Sequence, residues 1–288
     1  MIEAALKPRG PYSFRLSSRL SGDATRAVRD GRLTAVFELG GRLERAWAWQ
    51  RPDGTLCVRA DSADAIERLR FVLALDDDHS PFLERFARDP LLGDSTRCLR
   101  GLRPWRLGTV AQALLRALCG QLIQAKRARA IERTIVRAAT PCEPTTGLHA
   151  PPSASALSRF APAELRALGL GTRRGAALAR LCRSVELERL HTLPTEAAAA
   201  RLERERGLGP WSVGVVCLHG LGRTERGLVG DLGLIKLCSA LRGRWAEAWE
   251  TEELLAPYGE WAGLASVYLL AGWHQGLVPV PAAAPAAA

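Results

Sequence analysis

Hydrophobic and polar positions follow two different rhythms along this chain, and the change falls near residue 103. Before it, short runs rich in β-branched and aromatic residues occupy 33–39, 44–50 and 55–60. Gly40-Gly41 and Pro52-Asp53-Gly54 separate them, which predicts a small antiparallel sheet. Ser62 and Asp64 then open a helical stretch to about Leu75, and a second short helix is expected over 81–88. Beyond Arg103 the strand signals vanish. From Val110 onward apolar residues recur at helical spacing, with Ala111, Leu114, Leu115, Leu118 and Leu122 on one face. Further helices are predicted over 155–159, 162–168, 173–184 and 194–206. The prolines at 141, 144, 151 and 152 mark the stretch near 141–154 as a surface connector. The fold class is therefore α+β, with an antiparallel β-rich domain over 1–100 and a helical body over 101–278. The tail 279–288, mostly Ala and Pro, has nothing to pack and is expected to be disordered.

A chain of 288 residues with 47% hydrophobic content can bury a substantial core. No apolar run approaches the roughly 18 residues of a membrane helix, and the first residues lack a signal-peptide layout, so a cytoplasmic setting is the default expectation. The seven cysteines are scattered through apolar, helical-looking sequence and are read as reduced packing residues. None stands at a CxxC spacing, so neither zinc nor an iron-sulfur cluster is expected. The net charge of +10 suggests a polyanionic partner. Between Gly101 and Thr140 eight basic residues (Arg103, Arg106, Arg116, Lys126, Arg127, Arg129, Arg133, Arg137) face a single acid, Glu132. Charge alone fits a solvated basic face as well as a nucleic-acid site.

The candidate chemistry lies further on. A helix ending at Gly207 is followed by Leu208, Gly209 and Pro210, and Pro210 is well placed to open the next helix, whose apolar face is Val213, Val216, Cys217 and Gly220. The result is a helix, a tight glycine turn and a helix, near 195–220. Bare peptide N–H groups at such a turn suit a phosphate and need no side chains, so they suit sequence-independent DNA binding. By itself, Gly-x-Gly between helices is most often an ordinary helix stop. A Gly-rich loop over 220–230 then leads to Asp231, at the start of a helix with apolar positions Leu234, Ile235, Cys238 and Leu241. Local sequence alone makes Asp231 an N-cap, worth about 1 kcal/mol.

The stretch Gly207-Leu-Gly-Pro-Trp-Ser-Val-Gly214, followed by Val229-Gly-Asp-Leu-Gly-Leu-Ile-Lys236, resembles the Gly/Pro/Asp signature of the helix-hairpin-helix DNA glycosylases. Ala117-Leu-Cys-Gly-Gln-Leu-Ile123 and Pro11-Tyr-Ser-Phe14 are similar to segments of one branch, the bacterial 3-methyladenine DNA glycosylase II (AlkA) family. The resemblance covers nearly the whole chain apart from the connector and the tail, and implies that the helical body has two lobes flanking a cleft. It implies a monomer that acts on a damaged base in double-stranded DNA, away from any membrane, in the nucleoid. Asp231 becomes the catalytic carboxylate, beside an oxocarbenium-like sugar or a water that it orients. Trp211 lines the base pocket with Gln121, and Leu122 is the wedge that fills the gap left by the flipped base. On spacing alone Leu122 fits core packing better. Gly207, Leu208, Gly209 and Trp211 lie on the DNA backbone.

Two departures from the family pattern matter. The second pocket Trp falls at Leu270, with Tyr268 as the nearest ring, although Tyr268 also lies in phase with core positions. No lysine follows the turn, where bifunctional members carry one to form a Schiff base, so base release without strand cleavage is implied. No cofactor is required. The resemblance does imply a site for a sodium or potassium ion on the backbone carbonyls of Glu203, Glu205 and Leu208. Two alternatives stand beside this reading: a non-catalytic helix-hairpin-helix DNA-binding protein, and a glycosylase for oxidised bases.

Overall fold

The computed structural model describes residues 1–20, 22–121 and 123–280, so Leu122 and nearly all of the expected disordered tail lie outside the described residues. Strand β1 (Ile2–Leu6) precedes a short helix α1 (Phe14–Ser17), and β2 (Arg26–Arg29), β3 (Arg32–Leu39), β4 (Arg42–Gln50) and β5 (Leu56–Ala60) follow. Asp30-Gly31 and Gly40-Gly41 take positive φ at both central positions, the turn geometry whose twist matches two antiparallel strands. The sheet is antiparallel in the order β1-β5-β4-β3-β2. Leu33, Ala35 and Phe37 of β3 and Ala46 and Ala48 of β4 point inward. The alternate residues Trp47 and Trp49 face outward, where Arg45 and Arg32 cover their rings. Helix α2 (Ala63–Val72), capped by the Ser62 hydroxyl on the Ala65 N–H, lays Ala65, Ile66, Leu69 and Val72 on the inner face. The three predicted strands are present, but β1 and β2 were not legible. β1 is an exposed edge strand, so its sequence carries little inward-outward alternation.

The remaining helices are α3 (Ser80–Arg85), α4 (Gly93–Cys98), α5 (Val110–Gly120), α6 (Ala125–Ala139), α7 (Ala154–Ser158), α8 (Pro162–Ala167), α9 (Thr172–Ser184), α10 (Thr195–Glu203), α11 (Pro210–Val215), α12 (Leu232–Arg242), α13 (Glu250–Leu255) and α14 (Ala262–Trp273). α5 is the axis of this body: every residue from Val110 to Cys119 is buried, and α6, α9, α11 and the π-helical turn Val216–Leu221 surround it. Close approach requires glycine here. A Cβ on Gly220 would come within 2.8 Å of the Ala113 Cβ, and one on Gly214 within 2.4 Å of the Gly227 carbonyl oxygen. Phe82, Leu83, Phe86, Leu92 and Leu99 pack into this helical core rather than under the sheet, although they precede residue 100.

The basic cluster splits in two. Arg103, Arg106 and Arg116 are buried, so they cannot belong to a solvated face or reach a partner. They instead join the N-terminal segments around the sheet to the helical body. The Arg103 guanidinium donates to the carbonyls of Arg9, Pro11 and Ala74. Arg106 forms a fork on Asp77, with both contacts at 2.6 Å, and lies over the Phe71 ring. Arg116 bridges Glu132, the one local acid, and Asp23, both at 2.8 Å. Lys126, Arg127 and Arg137 remain exposed, with Arg129 and Arg133 half-buried. The connector is also less superficial than its prolines suggest. Glu143, Ala150, Pro151 and Pro152 are buried, and the Pro152 carbonyl accepts from the Thr109 hydroxyl at 2.7 Å. Five cysteines are buried as expected, while Cys98 and Cys142 are exposed. Among the described residues no helix is long and apolar enough to cross a membrane.

His79 makes the fold sensitive to acid. It is 3% exposed, and its Nδ1 has no hydrogen-bond partner. Burial, then the nearby Arg103 and Arg106, push it down from 6.5 to about 3. The folded protein therefore holds His79 neutral while the unfolded chain takes up a proton, so its contribution is intact above pH 6.5 and is lost as pH falls toward 3. That loss is about 1.4 kcal/mol per pH unit. Urea unfolding at pH 6.5 and 5.0 should show about 2 kcal/mol more loss in the wild type than in His79→Leu; equal losses would remove His79 from the acid response.

Candidate active site

The glycine turn is built as its residues demand. α10 ends at Glu203, and Gly207 takes φ +98°, a conformation that L side chains avoid. Gly209 is in ordinary extended conformation; its missing side chain leaves the backbone bare, with nothing within 4 Å of where a Cβ would stand. Pro210 occupies the first position of α11, where its lack of an N–H costs nothing. The apolar face Val213, Val216, Cys217 and Gly220 is buried, mostly against α5.

Asp231 is the N-cap of α12, and both its oxygens are engaged. Oδ1 accepts from the Gly233 N–H at 2.8 Å and, more weakly, from the Leu234 N–H at 3.4 Å. Oδ2 accepts from the Trp211 indole N–H at 2.9 Å. The Trp211 ring rests on the end of α5, where a Cβ on Gly120 would come within 2.5 Å of it. Leu270 of α14 lies against Gly233, two residues after Asp231 and beside its carboxylate, since a Gly233 Cβ would meet its methyl at 2.5 Å. The half-buried residues Trp211, Asp231 and Leu270, from three elements, thus converge on one place, and the exposed Leu232 flanks it.

Tyr268 does not join them. Its ring is fully buried against Phe82, and its hydroxyl donates to the carbonyls of Leu99 and Leu102 at 3.3 and 3.1 Å. Two residues along a helix turn a side chain by about 200°, so Tyr268 and Leu270 face opposite ways and no ring replaces the missing tryptophan from that position. Gln121, expected in the base pocket, spends its side-chain N–H groups elsewhere, on the Gly207 carbonyl and the Ser212 hydroxyl, each at 2.9 Å. Arg174 donates to the Gln121 carbonyl at 2.8 Å. The residue before Leu122 is therefore tied by its side chain to the glycine turn and by its carbonyl to α9. Nothing in the sequence signals Arg174 or Ser212 as partners, because the contacts span 53 and 91 residues.

Of the carbonyls implied for a monovalent cation, one already accepts a hydrogen bond from within the chain. The Glu205 carbonyl accepts from the Leu208 N–H at 3.2 Å. Arg180 donates to the neighbouring Arg206 carbonyl at 2.6 Å and to the Glu205 carboxylate at 2.5 Å. Among the described residues no cluster of His, Cys, Asp and Glu is arranged to hold a metal ion.

No family model matches the sequence. The chain is similar to the DNA-3-methyladenine glycosylase of Bacillus subtilis (strain 168), at 28% identity over 204 residues that cover 68% of this chain and 67% of that protein. Its fold is similar to that of the 3-methyladenine DNA-glycosylase from Archaeoglobus fulgidus, with a TM-score of 0.80 and 20% identity over 94% of this chain and 98% of the other. It is also similar to an 8-oxoguanine glycosylase/lyase of Clostridium acetobutylicum, solved with duplex DNA containing cytosine opposite 8-oxoguanine, with a TM-score of 0.77 and 14% identity over 96% and 99% of the two chains. At such identities the two structures establish the fold alone. In sequence the chain is thus similar to a DNA-3-methyladenine glycosylase, and its fold is that of solved DNA glycosylases.

Proposed function

We propose that the protein is a monofunctional DNA glycosylase that excises alkylated bases of the 3-methyladenine type from duplex DNA, as the type II (AlkA) enzymes do. The observation that carries this reading is the placement of Asp231. A half-buried carboxylate is held by three hydrogen bonds beside an indole ring, close to a turn whose backbone is bare toward solvent. A protein that only grips phosphates gains nothing from a fixed anion there, because like charges repel.

The chemistry follows from the charges. As the C1′–N bond breaks, its electron pair moves to the base and positive charge grows on the sugar. A base that already carries positive charge leaves neutral, so it needs little help from a general acid. Asp231 stabilises the developing cation, and water adds to C1′ and gives up its proton to solvent. The sequence has three lysines, Lys7, Lys126 and Lys236, none of them on the glycine turn, which supports hydrolysis over Schiff-base chemistry. Leu122, the residue after Gln121 in the sequence, would serve as the wedge. The relative from Bacillus subtilis is named for 3-methyladenine, which favours alkylated over oxidised bases.

A panel of modified duplexes scored for free base tests this reading. Release of methylated purines is expected, with strands intact until alkali is added and no covalent adduct under borohydride. An adduct together with direct strand breaks would overturn the hydrolytic mechanism, release of oxidised bases alone would overturn the substrate class, and tight binding without release of any base would leave a DNA-binding protein.

A further inference from the structure

We propose that Trp211 is a positioning residue for Asp231, in addition to any contact that its ring makes with a base. This rests on Asp231 being the catalytic carboxylate. An ionised carboxylate offers about four acceptor directions. Two, on Oδ1, are filled by the Gly233 and Leu234 N–H groups, and a third, on Oδ2, by the Trp211 indole N–H. The one that remains is on Oδ2, and its direction is fixed by the Trp211 bond. Cap hydrogen bonds alone hold one oxygen and leave the carboxylate free to rock about it; the indole bond removes that freedom.

The indole itself has little room to move. Its ring lies on Gly120, where even a methyl group would clash. The next residue, Ser212, is buried and accepts from Gln121, which also donates to Gly207. The glycine turn, the end of α5 and the carboxylate are thus joined through one ring, so a shift of the turn on binding DNA is passed directly to Asp231. Electrostatic stabilisation of a transition state depends on such preorganisation, because a group already in place pays no reorganisation cost during the reaction.

Trp211→Phe keeps a ring and removes the donor, and incorporation of benzothienylalanine at 211 replaces only the N–H by sulfur, for the case that the phenylalanine variant folds poorly. The single-turnover rate on a methylated duplex is expected to fall at least tenfold in both, with the KM for duplex changed less than threefold. In an Asp231→Asn background the same change should cost less than twofold, since the partner is gone. A second readout does not need turnover: the preference for a duplex carrying a cationic pyrrolidine abasic analogue over one carrying neutral tetrahydrofuran should shrink at least fivefold. Unchanged rate and preference in the benzothienyl protein, or an equal loss with and without Asp231, would overturn the proposal. If the wild type released no base at all, the glycosylase reading would fail, while the pyrrolidine preference would still decide whether Trp211 aims the carboxylate.

Discussion

Asp231→Asn is expected to slow release of a methylated purine from duplex DNA by about 10²- to 10³-fold, the scale on which loss of one transition-state-stabilising group shows. The substitution separates the two roles of the residue. Asparagine caps a helix about as well as aspartate, so its carbonyl oxygen can keep the Gly233 and Leu234 N–H bonds, and stability should change by less than about 0.5 kcal/mol. What it cannot keep is the negative charge, or an acceptor toward the Trp211 N–H once the amide nitrogen stands there. Rates under single-turnover conditions, with urea unfolding as the control, make the comparison. A rate within twofold of wild type would reduce Asp231 to a helix cap.

Arg116→Met should cost about 3–5 kcal/mol of unfolding free energy, the largest stability effect expected of a single substitution here. Arg116 is 9% exposed, and its guanidinium is shared by Glu132 and Asp23. Removing it strands both carboxylates: among the described residues Glu132 keeps a 3.6 Å contact with Arg129, and Asp23 a 3.7 Å contact with Arg26 besides its bonds from the Thr25 N–H and hydroxyl and the Arg26 N–H. Burial alone would push the Asp23 carboxyl up, but Arg26, Arg116 and the Thr25 hydrogen bonds together hold it below its ordinary value. With Arg116 gone that balance tips toward the raised side, and the variant should lose less stability than wild type on acidification through the ordinary carboxylate range. The sign follows from the wild type, whose unfolded chain takes up a proton that the native Asp23 refuses until lower pH; without Arg116 the native state takes it up as well. Urea unfolding at pH 7 and pH 5 measures both effects. A loss under 1 kcal/mol at pH 7 would mean that the carboxylates reach water without Arg116.

These two sites were legible to different degrees. Asp231 stood out because its neighbours are local: a glycine loop before it and apolar helical spacing after it mark a helix start, and the flanking residues carry the resemblance. Arg116 was misread as part of a basic face. Its partners lie 16 and 93 residues away, and in a list of charges a buried arginine looks the same as an exposed one. Tyr268 failed for a related reason. Its spacing from Trp261 and Leu264 placed it correctly on a buried face of α14, yet its nearness in sequence to Leu270 suggested a shared pocket that the helical turn forbids. Gln121 was placed at the site, but its bonds to Gly207 and Ser212 show that it braces the turn.

By itself the sequence determined what short-range forces decide: the α+β class, the hairpin turn at Gly40-Gly41, the glycine turn ending at Pro210, and Asp231 at a helix start. Each depends on backbone sterics or on hydrogen bonds within a few residues. The tertiary structure alone decided which of the eight basic residues over 101–140 face solvent, which aromatic ring meets the carboxylate, and how the turn is tied to the end of α5. Those outcomes depend on the burial of charges and on contacts between distant segments, whose energies appear only once the helices have packed.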